Sequence, residues 1–302
     1  MSMKNLSIFS LSILLFVAVL SACSENSDND NGEDKSVDTI PGSTDDSELI
    51  ELSTDLTGEC TTLFGSPGEN SGLTENECSP VCNCGGSSYE APQYSENDIE
   101  NLKKWSIDKD VEPLESDPYL ASGDTTVPKN SVCAVSILDQ DALIYSLKTY
   151  SSQDEATTDG AIVTHTGACG QCSSLYNLAA YISQSDMTKV VRQCGIDAIA
   201  NGGMDYNIKC LEELGFDYPC AQIWYYNTKN TTTNCGSICI SFLNAPYHNN
   251  DGSLNDCLQC DEDKSGDVFK AVAGRTRRNS GLPSSICRPC DTVAHIDHHN
   301  YK

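Results

Sequence analysis

The sequence predicts an α+β fold, helix-dominated and disulfide-rich. Three observations carry that expectation. Behind an export-type leader the chain holds 17 cysteines, of which sixteen follow Cys23, an even number. Apolar residues recur at helical spacing in three separate stretches. Strand-like alternation is confined to short runs.

The elements follow in chain order. Residues 1–22 read as a signal peptide: Lys4 supplies the basic end, and an apolar run from Ile8 to Leu20 is broken only by Ser10 and Ser12. That run is short of the ~20 residues a spanning helix needs. Residues 23–58 are rich in Ser, Asp, Asn, Glu and Gly, too polar to bury a core, and read as an acidic flexible tether. Residues 59–128 read as a small Cys/Gly/Pro-rich module with one helix. Cys60, Cys78, Cys82 and Cys84 staple its loops, and Ile99, Leu102 and Trp105 mark the helix over 95–106, with Ser95 as its N-cap. Three prolines make 112–128 an extended connector.

Residues 129–302 read as the main Cys-rich helical domain. The stretch 133–150 begins as an apolar alternation and is expected to become a helix. Ala161 to Thr164 is a short strand. Leu175, Leu178, Ala179 and Ile182 form an i, i+3, i+4, i+7 stripe, predicting a helix over 173–184. Residues 218–228 suggest another, and Phe269, Val272 and Ala273 a last one over 266–279, stopped at Gly281.

Charge narrows the function classes. The formal net charge is −26; residues 24–59 carry −11 and residues 60–302 carry −16. Nucleic-acid binding requires a basic footprint, which is absent. An acidic body suits solubility or cation binding. In an oxidising compartment sixteen thiols imply up to eight bridges, whose connectivity spacing does not give.

Leu20-Ser21-Ala22-Cys23 resembles the lipobox of bacterial lipoproteins. The resemblance implies lipid, palmitate included, on Cys23, cleavage before it, and a bilayer held through the N-terminal acyl anchor. Ser24 replaces the aspartate of inner-membrane retention, which points to the outer membrane.

Five places offer chemistry. Cys169-Gly170-Gln171-Cys172, with His165 four residues upstream, resembles the active turn of thioredoxin-like proteins, where a helix N-terminus lowers a thiol pKa. The competing reading pairs Cys169 and Cys172 with distant cysteines or with each other. The close pairs Cys257/Cys260 and Cys287/Cys290 have zinc spacing, but export favours disulfides. Asp261, Asp263, Ser265 and Asp267, with Gly266 between, resemble the start of an EF-hand loop and suggest calcium, although Val272 stands where that loop needs Glu. Arg275, Arg277 and Arg278 form a cluster that forks onto an anionic ligand, caps a helix or neutralises those acids. His295, Asp297, His298 and His299 offer metal-type ligands near the C-terminus. No Gly-x-Ser-x-Gly, His-Glu-x-x-His, P-loop or dinucleotide fingerprint occurs.

Three stretches together resemble a family of cysteine-rich exported proteins: the cluster after Thr57-Gly58-Glu59-Cys60, His165–Ser173, and Cys257–Arg278 running into Cys287-Arg288-Pro289-Cys290. That resemblance implies no activity. The leading expectation is an outer-membrane lipoprotein whose disulfide-stabilised domain binds calcium or a small anionic ligand near 261–278. A thiol–disulfide oxidoreductase using Cys169 and Cys172 is the alternative from another class, and a structural envelope protein is the third.

Overall fold

Ser95 opens the first helix as its sequence dictates. Its hydroxyl accepts from the Asp98 N–H at 3.3 Å, and the Asp98 carboxylate accepts from the Ser95 N–H at 2.9 Å. This reciprocal cap starts α1, Glu96–Lys104. The computed structural model describes residues 62–84, 87–121 and 128–301. Cys23, Cys60, the signal peptide and the tether lie outside the described residues.

The stretch 133–150 is a hairpin and not a strand followed by a helix: β6 is Val132–Asp139 and β7 is Ile144–Tyr150. Asp139 makes the reversal. Its carboxylate accepts from the N–H groups of Asp141 (3.0 Å) and Ala142 (2.9 Å), and Leu143 takes φ 54°. An Asx turn of this kind offers the backbone an alternative to helical bonds. Beyond it, β5 (Ser106–Ile107) and β8 (Ile162–Thr166) complete a four-stranded sheet in the order β5-β7-β6-β8. Only β5–β7 is parallel in that sheet.

Helices cover the sheet. Gln153–Thr158 forms α2, and Leu175–Ser183 forms α3, capped by Ser174. Met187–Asn201 is α4, Met204–Glu213 is α5, Tyr218–Cys239 is α6 and Asp256–Ala273 is α7. Tyr145 of β7, Leu175, Leu178 and Tyr181 of α3, and Ile223 of α6 meet Phe216 in one continuous core. Tyr145 also accepts the Leu175 N–H at 2.9 Å, so its buried hydroxyl is paired.

A small sheet closes the body on itself. β1 (Leu63–Phe64) pairs in parallel with β2 (Cys78–Ser79) and antiparallel with β9 (Arg288–Pro289). A separate hairpin joins β3 (Val81–Cys84) to β4 (Ser87–Glu90). The boundary expected at residue 128 is bridged by the β5–β7 pairing and by Cys78–Cys287 and Cys82–Cys290. The described residues form one compact unit.

The protein is therefore α+β and disulfide-rich. Five further bridges among the described residues are Cys133–Cys169, Cys172–Cys220, Cys194–Cys210, Cys235–Cys260 and Cys239–Cys257. So many bridges fit a chain folded in an oxidising, exported setting. Among the described residues no helix is long and apolar enough to cross a membrane.

Candidate ligand-binding groove

Three helices, α4, α6 and α7, pack without filling the space between them. They leave a groove of about 380 Å³. On α4 its wall repeats every fourth residue: Met187, Val191, Gly195 and Ile199. On α6 the wall runs from Trp224 through Thr228 and Thr232 to Gly236, and on α7 Leu258 and Phe269 complete it. Both runs follow from helical periodicity, which stacks i and i+4 side chains on one face. The rim keeps large apolar side chains in water: Ile199 is 68% exposed and Ile240 60%. Contiguous apolar surface of this kind marks a contact site.

Cations gather in the same groove. The Glu262 carboxylate on α7 lies 2.6 Å from Lys270 Nζ, 2.9 Å from an Arg288 nitrogen and 3.6 Å from an Arg278 nitrogen. Burial opposes the Glu262 charge, yet Arg288, Lys270 and Arg278 outweigh it and hold the carboxyl at about 2. Three cations share one close carboxylate; Asp267, 3.8 Å from Lys270, is 89% exposed. β9 delivers Arg288, and the turn after α7 delivers Arg278.

That turn also explains the other two arginines. Gly274 ends α7 with φ 72°, a conformation in which glycine carries no Cβ penalty. The Gly274 nitrogen meets the CxxC segment so closely that a Cβ on Gly170 would lie 2.7 Å from it. Arg275 then enters the core with no exposed surface. Its guanidinium donates to the carbonyls of Thr164 (3.0 Å), Cys172 (3.1 Å) and Ser173 (3.0 Å), and to the hydroxyls of Thr164 (2.6 Å) and Ser280 (3.1 Å). Burial lowers its pKa to about 10, so it stays a cation at neutral pH. Arg277 donates to the carbonyls of Tyr181 and Gln184 at the end of α3 and to that of Pro283. Of the expected anion-binding trio, Arg275 and Arg277 are therefore structural, and Arg278 alone joins the cation cluster. Lys270 and Arg288 were not singled out by the sequence. Lys270 lies two turns beyond Glu262 on one helix face, a readable signal; Arg288 arrives only through the β1–β9 pairing.

Asp261, Asp263, Ser265 and Asp267 sit within α7 and not in a loop. Asp261 and Ser265 face α6: Asp261 accepts from Thr231 and from Asn227 (3.4 Å), and Ser265 bonds Asn230 at 2.9 Å. Burial pushes the Asp261 carboxyl up, against the pull of Thr231 and Asn227. Asp263 instead accepts from Gln259 at 2.7 Å, and Asp267 points to solvent. Helical geometry thus separates the four oxygens expected to converge. Among the described residues no group of three or more His, Cys, Asp or Glu is placed to hold a metal.

Cys169 and Cys172 part company. Cys169 pairs with Cys133 and Cys172 with Cys220, the distant-partner reading of that motif. With both cysteines committed to distant partners, Cys169 and Cys172 do not pair with each other as a CxxC dithiol would. His165 is fully buried and bonds Ser173 Oγ through Nε2 at 2.7 Å. Its Nδ1 donates to the Thr166 carbonyl at 3.0 Å, so Nε2 is the acceptor and the ring is neutral. The pair has no exposed surface, which makes it a core bond and not a nucleophile with its base. The C-terminal histidines also diverge. His295 stacks on Tyr89 at 4.2 Å, His298 donates to the Ser280 carbonyl at 2.9 Å, and His299 meets Asp297 at 2.7 Å.

Residues 204–296 match a family of unknown function, DUF8771. No curated protein and no solved structure matches the chain. The matched span takes in α6, α7 and the segment through Arg288, hence two of the three groove walls and the whole cation cluster. It starts after α4.

Proposed function

We propose that the protein is an exported, lipid-anchored binding protein. Its groove between α4, α6 and α7 takes a small, mostly apolar molecule with an anionic end. The single observation that carries this reading is the union, in one open groove, of an aliphatic wall and a half-buried cation cluster around Glu262. Such sites commonly pair an apolar lining with a few placed polar groups. The Leu20-Ser21-Ala22-Cys23 lipobox and the disulfides support the anchored, exported setting. Outer-membrane placement rests on Ser24.

The test is equilibrium binding of 1-anilinonaphthalene-8-sulfonate, an apolar ring system bearing one sulfonate, to the oxidised protein. We expect saturable one-to-one binding with energy transfer from Trp224, which lines the groove. Ile199→Glu with Ile240→Glu places carboxylates on the exposed rim and should weaken binding at least tenfold without unfolding the protein. Unchanged affinity in that folded variant would overturn the groove as the site.

A further inference from the structure

We propose that the occupant of this groove is a single unbranched acyl chain ending in a carboxylate, a long-chain fatty acid. This identification rests on the binding reading above and supplies its ligand class.

The first argument is shape. Met187 to Ile199 is three and a third turns of α4, which at 1.5 Å per residue is about 18 Å of wall. Val191 and Ile199 on α4, with Leu258 and Phe269 on α7, make the apolar wall an elongated strip that leads towards the Glu262 cation cluster in the same groove. That is a strip for one extended polymethylene chain.

The second argument is the chemistry of the wall. Val191, Ile196, Ile199, Leu243 and Leu258 offer no donor or acceptor, and the Thr228 and Thr232 hydroxyls have helix carbonyls within reach: Thr228 Oγ1 donates to the Trp224 carbonyl at 3.0 Å and Thr232 Oγ1 to that of Thr228 at 2.7 Å. A ligand rich in polar groups would leave them unpaired against this surface, at a cost in affinity. A hydrocarbon chain leaves none.

The third argument is charge complementarity. Lys270, Arg278 and Arg288 have side-chain exposures of 32%, 29% and 23%, so they stand partly out of water. Glu262 neutralises one of the three, and Asp261 directs its carboxyl to Thr231 and Asn227 on α6. A ligand carboxylate supplies the missing negative charge, and an arginine fork suits its two oxygens.

The experiment displaces the bound sulfonate probe with saturated carboxylates from octanoate to hexadecanoate, each kept monomeric, on the oxidised protein. Each added methylene should tighten binding about fourfold until the groove is full, after which affinity levels off. Dodecanol should bind at least tenfold more weakly than dodecanoate. Arg288→Gln should shrink that gap while leaving the methylene increment intact. Affinity independent of chain length overturns the proposal, as does equal binding of acid and alcohol. Capture of phosphatidylglycerol vesicles without displacement by fatty acid overturns it in favour of a membrane surface. Saturable probe binding that no carboxylate displaces refutes the acyl occupant and leaves the groove a binding site; absence of probe binding refutes both.

Discussion

Three buried histidines are locked neutral by their neighbours. At His248 the Cys287 N–H donates to Nε2 at 2.9 Å, while Nδ1 donates to the Gly252 carbonyl at 3.0 Å. His165 is held the same way, Nδ1 donating to the Thr166 carbonyl and Nε2 accepting from Ser173, while His298 donates through Nε2 to the Ser280 carbonyl and its buried Nδ1 has no partner among the described residues. Burial is the first cause that lowers all three, and Arg275 adds to it at His165 and His298. The sign of the linkage follows. Above the unfolded value of about 6.5 both states are neutral and stability is complete. Below it the unfolded chain takes up protons that the folded chain refuses, so stability falls with pH. His298, held at about 3, by itself accounts for about 2 kcal/mol of loss at pH 5. Asp217 and Asp261, raised by burial, act in the opposite direction nearer the carboxylate range. Guanidinium denaturation of the oxidised protein should show the loss between pH 7 and pH 5. An unchanged unfolding free energy across that interval would rule it out. None of this was readable beforehand, because a histidine's tautomer is set by which carbonyl or amide folding brings to it.

At the scale of elements, the end of α7 and the turn after β8 are wedged together. A Cβ on Gly170 would sit 2.3 Å from the Val272 carbonyl oxygen and 2.7 Å from the Gly274 nitrogen, both backbone. Neither can step aside without moving the turn that carries Arg275. Gly170→Ala should therefore cost about 3 kcal/mol, the upper range for overpacking, read as a shift in the guanidinium midpoint. A shift below about 1 kcal/mol would show that this approach has slack. The same contrast explains what was legible. Helices α1 and α3 were predicted because both carry clean apolar stripes, α1 with Ser95 as a readable cap; the structure adds Ser174 as the cap of α3. The hairpin at 132–150 was not, because the reversal depends on one Asp139 carboxylate and not on periodicity. Helices α4 and α5 went unseen, although Val191, Ala198, Ile208 and Leu211 mark their buried faces. Reading 261–267 as a loop failed for a related reason. Asn255 accepts the Leu258 N–H at 3.0 Å and starts the helix well before those acids. The arginine run was legible as a cluster, but its division into core, cap and groove depends on the left-handed turn at Gly274.

For the whole molecule, the two longest bridges among the described residues interleave. Cys78–Cys287 and Cys82–Cys290 span 209 and 208 residues, tying β2 and β3 to the chain on either side of β9. On the chain-entropy view, whichever bridge remains still closes the long loop, worth about 5 kcal/mol, and the other adds only a short ring worth about 2 kcal/mol. Paired Cys→Ser replacement of either bridge should cost about 2–3 kcal/mol, and loss of both should cost well over the sum. Simple additivity in a set of guanidinium midpoints would refute this shared-loop argument. The same pair of bridges has a mechanical consequence. Load applied between residues 62 and 301 enters beside β1, the central strand of the small sheet, and passes to the segment after Cys287 through covalent sulfur and not through the core. Pulled to its limit, the oxidised chain can lengthen by only about thirty residues of slack, roughly 100 Å, against about 800 Å once reduced. Helices α4, α6 and α7 lie outside that load path but Arg288 lies on it, so a stretched molecule would keep its apolar wall and lose one cation of the Glu262 cluster.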